Sequence, residues 1–208
     1  MSPTHEAVKH YIKNRRDEGE RELRWFAIQR TLVEVVSVAA LARSPCGKRL
    51  HHQRRIPQSV LEQSRRRLLD CLPAIEQCSS FESLHELVRQ QIRPIPGIGE
   101  LTVYDTALRI GAKLHLEPKV VFLHAGTRLG AERLGIDVRR KYVDVSELPQ
   151  PLRRLSAREV EDILCIYKDW FGHAPQRRKN QTRGCYSTGL DQHDLLHIRR
   201  LRHRSRLH

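Results

Sequence analysis

Apolar positions recur at three- and four-residue spacing along most of the chain, the pattern of amphipathic helices. Positions 18–43 carry Leu23, Phe26, Ala27, Thr31, Val35, Val38 and Leu41 on one face, and the run stops at Ser44-Pro45-Cys46-Gly47, a cluster of breakers. This predicts one long helix. Pro57 suits the first turn of a second helix reaching about Leu72, with Val60, Leu61, Leu68 and Leu69 apolar. Ser79 and Glu82 have capping-box spacing and open a third helix over 80–92, which Pro94 and Pro96 end. A fourth covers 100–114, with Leu101, Tyr104, Ala107, Leu108 and Gly111 as its stripe. Positions 119–123 form a short apolar run; no partner strand is evident, so one helical turn is expected. A helix over 125–134 stops at Gly135, positions 138–151 read as irregular, and Ser156 with Glu159 caps a last helix to about Phe171. The expected fold class is all-α, a compact helical domain over 1–171 followed by a basic, flexible tail over 172–208 with room for a short helix near 191–202.

Composition narrows the class. At 208 residues, 39% hydrophobic and 30% charged, the chain suits one helical core, and no run approaches a membrane span. Positions 1–14 lack the apolar centre of a signal peptide, so a cytoplasmic protein with no membrane partner is expected. Five cysteines without a C-x-x-C pair argue against a disulfide framework and a zinc ribbon; Cys71, Cys78 and Cys165 fall in helical patterns as core or half-buried residues. The formal charge is +14. The last 37 residues hold nine Lys and Arg against Asp191 and Asp194, so half of the excess, +7, belongs to the helical domain. Such a field concentrates polyanions, nucleic acid first and anionic lipid second.

The stretch Ile95-Pro96-Gly97-Ile98-Gly99-Glu100-Leu101-Thr102, wedged between two helical patterns, carries the clearest chemistry. Its glycines allow a tight turn and close approach of another chain, and the next helix offers unpaired N–H groups that suit a phosphate oxygen. A tight helix–helix turn without a ligand is the alternative. The stretch resembles the hairpin of the helix-hairpin-helix DNA-binding superfamily, placed at about 84–114. Over about 90–136 the layout further resembles the base-excision DNA glycosylases built on that hairpin, with Val120-Val121-Phe122-Leu123 leading into His124 and Arg133-Leu134-Gly135 closing the next helix. The resemblance implies backbone contacts to DNA and a monovalent cation on the hairpin carbonyls; no other cofactor is expected. Two departures bear on activity. Leu101 stands where bifunctional members carry a Schiff-base lysine, and no carboxylate follows the Val-Phe-Leu segment where their catalytic aspartate falls. The four-cysteine iron–sulfur loop of some members is also missing. The expectation is a non-catalytic or rewired relative, with Asp105 or Glu100 as a displaced acid.

The candidate DNA contacts are Pro96, Gly97, Ile98, Gly99 and Thr102, then His124 and Arg128, then Lys48, Arg49, Arg54 and Arg55 in a basic run, with Arg65-Arg66-Arg67 a second basic cluster. Each has a plainer reading. Asp105 pairs with Arg109 at i+4, His124 caps a helix beside a surface Arg128, and charge runs are solvated faces. His193 and His197, with Cys185, mimic a zincin spacing but lack a third ligand of persuasive spacing. Three functions follow: sequence-tolerant duplex binding in repair, recombination or defence; a glycosylase-like enzyme; or a protein-interaction module.

Overall fold

The computed structural model describes residues 2–172. The predicted tail beyond Gly172, with Cys185, His193 and His197, lies outside the described residues.

The fold is all-α. Helix α1 (Pro3–Asn14) was not expected from the sequence; Ser2 caps it, and it buries Ala7 and Tyr11. The single helix expected over 18–43 is two, α2 (Arg16–Ala27) and α3 (Leu32–Ala40). Thr31 separates them. Its hydroxyl accepts from the Glu34 N–H, and the Glu34 carboxylate accepts from the Thr31 N–H. A residue counted as part of an apolar face is instead a cap, because local hydroxyl bonding competes with helix continuation. Helices α4 (Gln58–Asp70), α5 (Leu72–Glu76), α6 (Phe81–Ile92) and α7 (Glu100–Leu114) follow. Helix α6 is capped by Ser80 and Ser83, not by Ser79 and Glu82; the Glu82 carboxylate accepts from the Lys119 N–H at 3.2 Å.

Val121–Phe122 forms strand β1, not the expected helical turn. It pairs antiparallel with β2 (Tyr142–Val143), Val121 opposite Val143 and Phe122 opposite Tyr142. The partner comes from the segment read as irregular. Two residues are too few to show period-two alternation, which is why the pairing was invisible. Helices α8 (Ala125–Arg133) and α9 (Ala157–Ile166) complete the fold, the latter opened by the expected Ser156–Glu159 box.

Helix α7 packs against α6, α2 and α3 and buries most of its surface. Thr106 and Arg109 are therefore buried along with Val103, Tyr104 and Ile110. A helix enclosed on several sides has no single apolar stripe, which explains its untidy pattern. One apolar cluster joins α2 to α7; a second joins α1, β1, β2, α8 and α9. In the second, α8 crosses α9 closely because Gly130 lacks a side chain: a Cβ there would lie 2.1 Å from the Leu164 carbonyl oxygen. Among the described residues no helix is long and apolar enough to cross a membrane.

Candidate functional site

The α6–α7 connection is built as an outward-facing turn. Ile95 and Ile98 are buried, while Pro96, Gly97 and Gly99 between and beyond them are exposed. Gly97 has φ +94°, a left-handed conformation costly for residues with a Cβ. Gly99 has ordinary extended backbone and is the N-cap of α7, with no side-chain cap, so the first-turn N–H groups of α7 have no cap from this residue. A Cβ on Gly99 would meet nothing within 4 Å. Arg93 donates to the Ile98 carbonyl at 3.2 Å, which places a guanidinium on one of the carbonyls available to a cation. Thr102 is buried behind the turn.

Helix α4, which follows the basic run, approaches this turn. A Cβ on Gly97 would touch Val60 at 3.8 Å, in the first turn of α4. Lys48, Arg54 and Arg55 are exposed. Arg49 is engaged within the loop, donating to the Ile56 carbonyl at 2.8 Å and to the Gln58 side chain. Asp105 tethers the loop to α7. Its Oδ2 accepts from Gln53 at 2.7 Å, His52 at 3.2 Å and Arg109 at 3.5 Å. Burial raises its pKa, but the Arg109 charge and the His52 and Gln53 bonds outweigh that and hold it at about 2. The bond to Asp105 in turn raises the His52 pKa. The expected Asp105–Arg109 pair is present, as the longest of these bonds, and Arg109 also reaches Glu22 at 3.2 Å. This is a structural tether, not a poised acid.

A cavity of about 300 Å³ opens between α6, α7 and the β1–α8 junction. Its lining includes the rings of His85, Tyr104, Phe122, His124 and Tyr142. His85 stacks near Phe122 with centroids 4.3 Å apart, and burial lowers its pKa to about 4, so it is neutral at pH 7. Arg89, Arg93, Arg128 and Lys141 supply cationic lining, and Glu82, Glu86 and Glu100 the acids. The Tyr104 hydroxyl and His124 Nδ1 are buried without a hydrogen-bond partner. Buried polar atoms are rarely left so, and both belong to residues that line the cavity. Sequence reading did not find His85, Phe122 or Tyr142; isolated aromatic residues far apart in the chain carry no signal.

His124 and Arg128 do not act as a pair. His124 is 3% exposed; its Nε2 bonds the Glu161 carboxylate across the α8–α9 crossing. Arg128 donates to the Val138 and Arg140 carbonyls, the latter at 3.0 Å, and fixes the loop before β2. Glu161 was missed in the sequence because 37 residues separate it from His124. Cys165 Sγ completes a cluster with these two, all three ligand atoms lying within 4.8 Å of one another, the set among the described residues that could hold a metal. No family model matches this chain, nor does any curated protein or solved structure.

Proposed function

We propose that this protein binds duplex DNA through its sugar-phosphate backbone with little regard to sequence, using the Pro96-Gly97-Ile98-Gly99 hairpin as its phosphate grip, in repair, recombination or defence. The observation that carries the reading is the build of the turn: apolar residues buried, glycines exposed, and an α7 N-terminus that Gly99 leaves without a side-chain cap. Backbone N–H groups of this kind, together with the helix dipole, favour an anion. Such contacts set position without reading bases. Lys48, Arg54 and Arg55 widen the footprint, and the +14 charge speeds encounter.

The test is fluorescence anisotropy with duplex DNA across a salt series. Wild type should bind with affinity falling steeply as salt rises. Gly97→Val/Gly99→Val, with its helicity checked by circular dichroism, should lose most binding at every salt concentration. Equal binding by a folded double variant would reduce the hairpin to a turn and leave only non-specific charge.

The cavity favours a second reading, a glycosylase-like enzyme with a rewired site. It lies beside the hairpin and is lined by aromatic rings on which an extruded base could stack. Glu100 lines it, whereas Asp105 is tied up by its three partners, so Glu100 is the better-placed acid. Base release from lesion-bearing duplexes that disappears in Glu100→Gln would support this reading; absence of release across a lesion panel would remove it.

A further inference from the structure

We propose that His124, Glu161 and Cys165 form a zinc-binding site at the α8–α9 crossing, independent of the DNA-binding reading. The donor set is an imidazole nitrogen, a carboxylate oxygen and a thiol sulfur, contributed by the N-cap of α8 and by two residues one turn apart on α9. Nitrogen with sulfur and one hard oxygen suits zinc, whereas magnesium and calcium take oxygen alone.

The backbone is shaped to bring these three groups together. A Cβ on Gly126 would lie 2.7 Å from Cys165 Sγ, so only glycine lets the thiol reach this depth beside α8. Gly130, one turn on, seats the same helix against Leu164. Thr127 fixes the approach of His124: its Oγ1 accepts from the His124 N–H at 2.7 Å. None of the three ligands is placed by a flexible surface loop.

The environment points the same way. Glu161 is 5% exposed, and the side chain it bonds is His124. No Lys or Arg bonds its carboxylate among the described residues, although elsewhere in this interior Asp105 has Arg109 and Glu159 has Arg16. A buried carboxylate is costly without a cation or full hydrogen bonding. The ligand atoms are up to 4.8 Å apart, wider than the roughly 3.5 Å between donors around a tetrahedral zinc with bonds of about 2.0–2.3 Å. An ion entering there replaces the His124–Glu161 hydrogen bond, so those two groups separate while the Cys165 thiol draws in. Three protein ligands leave a fourth position open, the arrangement of catalytic zinc rather than of a closed structural site. His124 also borders the cavity, so the site and the cavity share a residue.

The experiment uses the full chain carrying Cys185→Ser, His193→Gln and His197→Gln, so that the C-terminal histidine pair contributes no signal. Cobalt(II) is titrated in as a spectroscopic stand-in, then displaced by zinc. The expected result is one equivalent of cobalt with a near-ultraviolet thiolate charge-transfer band, bleached by zinc, and a rise in thermal midpoint with zinc concentration. Cys165→Ser should abolish the band. Glu161→Gln should weaken affinity by more than the 10- to 100-fold that loss of an outer partner costs. Because Glu161→Gln could disturb the fold, its helicity is measured without metal; Cys165→Ser, nearly isosteric, provides the second route. No thiolate band in the parent chain, or a band that survives Cys165→Ser, overturns the proposal.

Discussion

The turn at Ile95–Gly99 and the His124–Glu161–Cys165 cluster solve opposite problems. The turn faces outward, holds its shape with two buried isoleucines, and leaves the α7 N-terminus without a side-chain cap. The cluster faces inward and depends on a helix crossing that two glycines permit. One is a contiguous sequence feature whose chemistry is backbone; the other joins residues far apart in the chain, and its chemistry is side-chain. The contrast teaches that glycine serves two separate ends here. At Gly97 it supplies a left-handed conformation, and at Gly126 and Gly130 it supplies room.

The comparison breaks most sharply at Gly130. Gly130→Val should cost about 3 kcal/mol or more, because its new Cβ meets backbone that cannot rotate away. Urea unfolding would measure this, and wild-type stability in the variant would mean that α8 and α9 do not cross there. Asp105→Asn comes next. It removes the anion facing buried Arg109 and should cost about 2–3 kcal/mol, with Glu22 limiting the loss. The sign with pH follows from the lowered pKa. The Asp105 contribution is complete above its ordinary value of about 3.9 and drains away as pH falls towards about 2, a limb that Asp105→Asn should lack.

His85 gives a smaller effect within the cavity. Its folded pKa of about 4 lies below the ordinary value of about 6.5, so the native state favours the neutral ring. The stability it contributes is present above about pH 6.5 and is lost as pH falls to about 4. The difference in thermal midpoint between wild type and His85→Gln, followed over that window, should shift in this direction; a constant difference would mean the ring is solvated. Smallest in stability is Arg54→Gln/Arg55→Gln, expected within about 0.5 kcal/mol of wild type. Its effect belongs to DNA: the slope of log affinity against log salt should fall by about 0.9 for each phosphate no longer neutralised. An unchanged slope would confine the footprint to the hairpin.

Much of the fold was legible because caps and breakers are local. The bounds of α6 and α7, and the Ser156–Glu159 start of α9, follow from residues within one turn of each end. The α2–α3 break was not legible because Thr31 fits an apolar face in one-dimensional periodicity and a cap in three dimensions. The β1–β2 pair was hidden by its length. The tight turn between α6 and α7 was readable for the same local reason as the caps. The fate of Arg49, Arg128 and Asp105 was not, since each is decided by partners that only the fold brings near: Ile56 and Gln58, the Val138–Arg140 loop, and Gln53 with His52. A charge in a run reads as available until a carbonyl is found to hold it.

Gly99 offers the most direct test of the DNA reading, because structure and ligand make different demands on it. Its backbone is ordinary and a Cβ there meets nothing within 4 Å, so Gly99→Val should cost only the roughly 1 kcal/mol of losing a glycine N-cap in urea unfolding. Duplex binding by anisotropy at moderate salt should nevertheless weaken at least tenfold, because the added isopropyl group stands where a phosphate must approach the α7 N-terminus. Unchanged affinity in this stable variant would contradict the account and leave the hairpin as a connector between two helices.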